Sequence, residues 1–82
     1  MDEKRRFDPE EYRGILNVYE DLSLYYELLD IYLSEKTKAS RFALEKHSED
    51  FFFTIKHREL EGQISHSTAD EMRDYLREVL DD

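Results

Sequence analysis

The stretch DPEEYRGILNVYEDLSLYYELLDIYL, residues 8–33, decides the fold. Asp8 is a favourable N-cap, Pro9 suits the first helical position, and the two glutamates that follow favour the positive end of a helix. Apolar residues then recur in alternating steps of three and four, which predicts one long amphipathic helix over residues 8–33. The members of this seam are Tyr12, Ile15, Tyr19, Leu22, Tyr26, Leu29 and Leu33.

The same helix carries more apolar surface than one seam uses. Val18, Leu22, Tyr25, Leu29 and Tyr32 form a second stripe, and Leu24, Leu28 and Ile31 form a third. A helix in a three-helix monomer needs about one apolar stripe. Two interpretations stay open: a tightly wrapped hairpin covers every stripe, or the surplus forms a homodimer seam or a groove for a partner.

A second helical region follows the connection at residues 34–40, where Ser34, Thr37 and Ser40 are candidate caps. The region extends to about Glu61, and both one long helix and two shorter ones fit its pattern. We prefer one long helix, because no proline or glycine interrupts it.

A shorter helix is predicted at the end of the sequence. Gly62 fits a helix stop with Ile64 packing back, and Ser65 or Ser67 then caps the next helix. The spacing of its apolar residues predicts one buried face. That face is Ala69, Met72, Leu76, Val79 and Leu80.

These helices predict an all-α fold: an antiparallel hairpin of two long helices plus a shorter C-terminal helix, in a small helical bundle. Residues 7–82 are expected to form this single domain, after a flexible arm at residues 1–6. A core built from so short a chain is marginal, so we expect a homodimer.

Composition narrows the class of protein further. The 82 residues include no cysteine, which excludes disulfides and thiolate metal sites and favours a reducing compartment. No apolar run approaches the length of a membrane span, and nothing resembles a signal peptide, so we expect a cytoplasmic protein without a membrane partner. The net charge of −9 favours solubility and a basic partner.

Charge is distributed unevenly along the chain. Residues 7–33 hold one arginine and seven acids, whereas residues 34–47 hold four bases and two acids. We expect the two segments to complement each other inside the molecule, in preference to an anion-binding role for the basic segment. The bases concerned are Lys36, Lys38, Arg41 and Lys46.

Catalytic and metal-binding signatures are missing from the sequence. The histidines at 47, 57 and 66 lack the Glu-x-x-His and His-x-x-x-His spacings of metal sites on helices. There is no phosphate-binding glycine loop and no nucleophile elbow. We therefore predict no metal, no cofactor and no enzymatic activity, and keep a small enzyme using carboxylates and His57 as an alternative.

Direct nucleic-acid binding is not expected. The segment around Gly62 resembles the turn of a helix-turn-helix, but the helix after it would present Asp70, Asp74 and Glu78 to phosphates, and like charges repel. The basic clusters also lack interleaved aromatic residues for base stacking.

The sequence therefore favours a small non-enzymatic interaction module, a regulator or inhibitor that binds another protein. The surplus apolar surface of the first helix supports this hypothesis, since tyrosine is enriched at interfaces. An acidic nucleic-acid mimic that blocks a DNA- or RNA-binding protein is an alternative, and it predicts binding that falls steeply with added salt. The candidate interface residues are Tyr12, Tyr19, Leu24, Tyr25, Leu28, Ile31 and Tyr32.

Overall fold

Three α-helices and one short 3₁₀ turn form the part of the chain that the computed structural model describes, residues 7–81. The 3₁₀ turn is Pro9–Tyr12, and the helices are α1 (Val18–Glu35), α2 (Lys38–Leu60) and α3 (His66–Asp81). Helix α2 packs against both α1 and α3, and no strand occurs within residues 7–81. The all-α prediction is confirmed, while the predicted arm, residues 1–6, lies outside the described residues.

The first helix is shorter than the sequence predicts. Asp8 does cap a helical turn, accepting a hydrogen bond from the Glu10 amide at 3.0 Å, but that turn is the 3₁₀ turn. The chain then bends, and Asn17 adopts a left-handed conformation with φ 69° directly before α1 begins. The prediction of one helix over residues 8–33 is therefore wrong in its N-terminal half.

Phe7 provides the physical reason for the bend. Its ring is buried against Tyr75 at a centroid distance of 5.9 Å, and its amide donates to the Tyr26 hydroxyl at 2.6 Å. A straight helix would hold positions 7 and 26 roughly 28 Å apart, at 1.5 Å per residue. Burial of the aromatic ring on the core thus wins over continuation of the helix, which local caps and periodicity alone favour.

The second apolar stripe of α1, and not the seam, faces the core. The four buried residues of α1 are Val18, Leu22, Tyr25 and Leu29, all from that stripe. From the seam, Tyr26 is only partly buried and Leu33 is exposed. The stripe and the seam share Leu22 and Leu29, so the sequence pattern does not separate them.

Helix α2 is one uninterrupted helix, as predicted. Thr37 is its N-cap, and a reciprocal capping box joins Thr37 and Ser40: the Ser40 amide donates to Thr37 Oγ1 at 3.0 Å, and the Thr37 amide donates to Ser40 Oγ at 3.1 Å. Ser48 continues the buried line through the middle of the helix, where the sequence has no apolar residue.

The link between α2 and α3 is a Schellman turn. The Gln63 amide donates to the Arg58 carbonyl and the Gly62 amide to the Glu59 carbonyl, with Gly62 at φ 80°. Ile64 is buried behind the turn, and the Ser65 hydroxyl accepts from the Thr68 amide as the cap of α3. The predicted stop at Gly62 is confirmed, and Ser65 is the cap that the structure uses of the two candidates, Ser65 and Ser67.

Helix α3 completes the core with the predicted face and with Tyr75, which the prediction omits. The Tyr75 ring lies 6.0 Å from that of Tyr25 and 6.3 Å from that of Tyr26, so aromatic contacts join α1 to α3. At the other end of the bundle, Arg41 of α2 donates to the Leu80 carbonyl of α3. Both neighbours of α2 therefore run antiparallel to it.

Within residues 7–81, none of the helices combines the length and the hydropathy that crossing a bilayer demands.

Candidate protein-binding site

The seven candidate interface residues occupy different environments. Tyr25 is fully buried in the core, so it is not available to a partner and leaves the candidate interface. Tyr12, Leu28 and Tyr32 are partly buried and pack against the core. Only Leu24 and Ile31, with 43% and 45% of their surface exposed, clearly face solvent.

Two of the tyrosines form cation–π contacts and hydrogen bonds with arginines of the same chain. The Arg13 guanidinium lies 4.3 Å from the centre of the Tyr19 ring and donates to its hydroxyl at 3.1 Å. Arg41 contacts Tyr32 in a similar way, with a hydrogen bond of 3.3 Å. These contacts satisfy the hydroxyls and cover part of each ring, so the structure assigns the two tyrosines to packing within the molecule.

The exposed part of α1 is an apolar stripe with an acidic border. Leu24 and Ile31 are exposed and Leu28 is half-buried, and the three share one side of the helix, roughly 120° around the axis from the buried side. Glu20, Glu27 and Glu35 flank this stripe and are exposed, and α1 contains no basic residue. We call these six residues the α1 stripe.

A second apolar surface lies beside α3 on the outer side of α2. It is a groove of about 630 Å³ lined by Phe52, Phe53, Lys56, Glu59, Leu60, His66 and Arg73. Phe53 is 66% exposed and Leu60 is 76% exposed, although both are large apolar side chains. They point roughly 160° away from the buried line of α2, so the core of this chain does not use them. We call this surface the α2/α3 groove.

Three charged residues that line the groove, Glu59, His66 and Arg73, form a network with Asp70. His66 Nδ1 lies 2.6 Å from Glu59 Oε2, and its Nε2 lies 3.2 Å from Asp70 Oδ2. Arg73 bridges the same carboxylates, with Nη1 3.1 Å from Glu59 Oε1 and Nη2 2.8 Å from Asp70 Oδ1. The network therefore fixes the first turns of α3 against the last turns of α2.

These contacts shift the ionisation of the network. The hydrogen bond to Glu59, aided by the charge of Asp70, raises the pKa of His66 above its ordinary value. The hydrogen bond from His66 and that from Arg73 lower the pKa of Glu59, and the hydrogen bond from Arg73 lowers the pKa of Asp70. The network accordingly favours a charged imidazolium between two ionised carboxylates.

The remaining charges on the groove are cationic. Lys56 makes no ion pair with another residue in the described range 7–81. The Arg77 guanidinium lies 5.6 Å from the centre of the Phe52 ring, next to the groove. Glu59 is the one carboxylate among the seven lining residues, so the groove is locally basic on a chain of net charge −9.

The basic segment at residues 34–47 makes contacts inside the molecule, but the ion pairs of Arg41 and Lys46 lie within α2 and do not join the acids of residues 7–33. Arg41 pairs with Glu45 at 2.8 Å in addition to its bonds with Tyr32 and the Leu80 carbonyl, and Lys46 lies 3.9 Å from Glu49. The Lys36 amino group lies over the Tyr32 ring at 5.9 Å. The basic side chains at this end of the hairpin thus contact acids of α2, the ring of Tyr32 and the C-terminal end of α3. A cation is favoured at the C-terminal end of a helix.

His57, the histidine of the alternative enzymatic hypothesis, is exposed on α2 and is not among the groove residues. The described residues contain no group of three or more histidine, aspartate or glutamate side chains arranged to hold a metal ion.

The α2/α3 groove is not predicted from the sequence. Phe51, Phe52 and Phe53 are consecutive and identical in chemistry, but the structure buries Phe51, half-buries Phe52 and exposes Phe53. A signal was present, because Phe42, Phe53 and Leu60 recur in steps of 11 and 7 on one helical side, away from the buried line.

Comparison of the chain with known protein families, with curated proteins and with solved structures gave no match.

Proposed function

We propose that this protein is a small non-enzymatic regulator that acts by binding another protein through the α2/α3 groove. The observation that carries the proposal is the exposure of Phe53 and Leu60 beside Lys56, in a groove between two packed helices. Contiguous exposed apolar side chains rimmed by polar groups mark interaction sites in soluble proteins. Because α2 and α3 already pack on the core, the groove is formed before a partner arrives.

The chemistry of the groove defines the partner that fits it. Phe53 and Leu60 offer apolar contact, while Lys56, which has no ion pair among residues 7–81, favours a carboxylate at the edge. An amphipathic helix with apolar residues at i, i+4 and i+7 and acidic neighbours matches this arrangement. We prefer this function to nucleic-acid mimicry, because the acids of α1 alternate with Leu24 and Ile31 and do not form a continuous charged surface.

Site-specific crosslinking in living cells tests the proposal. A photoreactive phenylalanine analogue placed at Phe53 should form a discrete adduct with a different protein, which mass spectrometry identifies. The matched control is the same analogue at Lys38, also exposed on α2 but roughly 22 Å away along the helix axis. Adducts of equal yield at both positions, or adducts with no foreign protein at position 53, would contradict the proposal.

A further inference from the structure

The α1 stripe and the α2/α3 groove are chemically complementary. The stripe offers Leu24, Leu28 and Ile31 at the i, i+4 and i+7 spacing with which a helix anchors in an apolar groove. The groove offers Phe53 and Leu60 as apolar contacts. Each surface therefore presents the apolar half of a helix-in-groove interface.

Their charges are complementary as well. The exposed Glu20, Glu27 and Glu35 border the stripe and form no ion pair with the rest of residues 7–81. On the groove, Lys56 is equally unpaired in that range, whereas Arg73 is already held by Glu59 and Asp70, so Lys56 is the cation that can face these glutamates. Opposite charges facing each other across an apolar contact select the partner and its orientation.

The two surfaces do not meet within one molecule. The stripe points roughly 120° away from the core side of α1, and Phe53 and Leu60 point roughly 160° away from the buried side of α2. In the described part of the chain, no Cα atom of α1 lies within 8 Å of one in α3. The two complementary surfaces can therefore contact each other only when they belong to different molecules.

We propose that the occupant of the α2/α3 groove is the α1 stripe of a second copy of this chain. The contact joins two different surfaces, so it is heterologous: each molecule uses its stripe on one neighbour and its groove on another. Such contacts extend into an open chain unless the rotation between molecules closes a ring. Mutual repulsion of chains with net charge −9 keeps each contact weak, so association depends on concentration.

This inference rests on the proposed function, because both require the groove to be a docking surface. It adds that a partner must displace the α1 stripe of a second copy from the groove. A foreign helix of the same chemistry and the α1 stripe compete for Phe53, Leu60 and Lys56. Self-association would thus reduce the affinity measured for a partner as the protein becomes more concentrated.

Complementation between two variants of the full chain tests the inference. The double variant Phe53→Glu/Leu60→Glu loses the apolar contacts of the groove and keeps the stripe. The double variant Leu24→Lys/Ile31→Lys loses the apolar contacts of the stripe and keeps the groove. All four positions are exposed, and glutamate and lysine are good helix formers, so both variants should fold, which circular dichroism checks. Sedimentation equilibrium then measures the mass of the wild type, of each variant and of their mixture.

The expected result is a wild type whose mass rises with concentration, two variants that are each monomeric, and a mixture that forms a 1:1 dimer. The dimer is finite because each variant retains only one of the two surfaces. A wild type that stays monomeric at every concentration overturns self-docking. Association of either variant alone overturns the heterologous contact, since it shows a surface pairing with itself.

If circular dichroism shows that a double variant is no longer helical, the single variant Phe53→Ser or Ile31→Ser takes its place. The same sedimentation results then support or overturn the inference. The two proposals fail separately. A monomeric wild type leaves a foreign adduct at position 53 unaffected, whereas a self-adduct alone at position 53 supports self-docking and contradicts the proposed function.

Discussion

His66 shows how much a single exposed side chain can organise. Its two ring nitrogens face Glu59 on α2 and Asp70 on α3, although 77% of the side chain is exposed. The pKa of His66 is raised in the folded protein, so the stabilisation it provides is full below the ordinary histidine value and is lost as pH rises through the folded value. The pKa of Glu59 is lowered, so its contribution is lost as pH falls below the ordinary glutamate value.

The α2–α3 junction is therefore expected to be most stable between about pH 4.5 and pH 6.5, where both groups are ionised. Proton NMR titration of the His66 ring measures this directly, and its pKa should lie above the ordinary histidine value of about 6.5. Glu59→Gln should lower it, because the first of its two acceptors loses its charge. Glu78→Gln, roughly three turns further along α3, is the control that should leave it unchanged. Titration of His66 at the ordinary value in the wild type would contradict the prediction.

At the scale of the helices, the ends that depend on local capping signals can be predicted from the sequence. The contacts between distant elements cannot. Gly62 acts at the predicted helix stop, while Thr37 is one of three candidate caps for α2 and Ser65 one of two for α3. Each of these signals is satisfied by groups within a few residues. The break before α1 depends on Phe7 reaching Tyr26 and Tyr75. No pattern within residues 8–33 contains that long-range contact.

The two glycines allow a matched test of helix-end geometry. Gly62 has φ 80°, whereas Gly14 does not have a positive φ, and an added Cβ would meet no packed neighbour within 4 Å at either position. Gly62→Ala should lower the free energy of unfolding by about 1 kcal/mol, since only the left-handed conformation penalises it.

Gly14→Ala should be neutral or should stabilise the fold by up to about 1 kcal/mol, because alanine restricts the unfolded chain. Urea denaturation of both variants measures the difference. Equal destabilisation by the two substitutions would show that the left-handed turn at Gly62 is not what sets the cost.

For the whole molecule, the sequence could establish that α1 has surplus apolar surface but not which surface remains exposed. The choice among its three stripes depends on where α2 and α3 lie, and their orientation is a property of the assembled core. The same reasoning explains why the α2/α3 groove was missed: Phe51 and Phe53 are alike in composition, and only the packed bundle gives them opposite environments. Of the candidate interface residues, Leu24 and Ile31 remain well exposed.

Because Leu44 lies in the core and Phe53 on the groove, substitutions at the two positions should change the free energy of unfolding by very different amounts in dilute solution. Leu44→Ala should cost about 2–5 kcal/mol, because Leu44 is fully buried between the helices and leaves a cavity. Phe53→Ser should change the free energy of unfolding by no more than about 0.5 kcal/mol, although it removes a larger apolar group. Chemical denaturation compares them, and a large loss for Phe53→Ser would mean that its ring belongs to the core.

The aromatic contacts that join α1 to α3 have a practical optical consequence. The sequence has no tryptophan, so tyrosine dominates the near-ultraviolet spectrum of the protein. Tyr25, Tyr26 and Tyr75 meet edge-on or tilted at 5.6 to 6.3 Å, a fixed asymmetric arrangement. Such packing produces near-ultraviolet circular dichroism that vanishes when tertiary contacts loosen while helices persist. The contact between the first helix and the third can thus be followed without a label, through the circular dichroism of the native tyrosines.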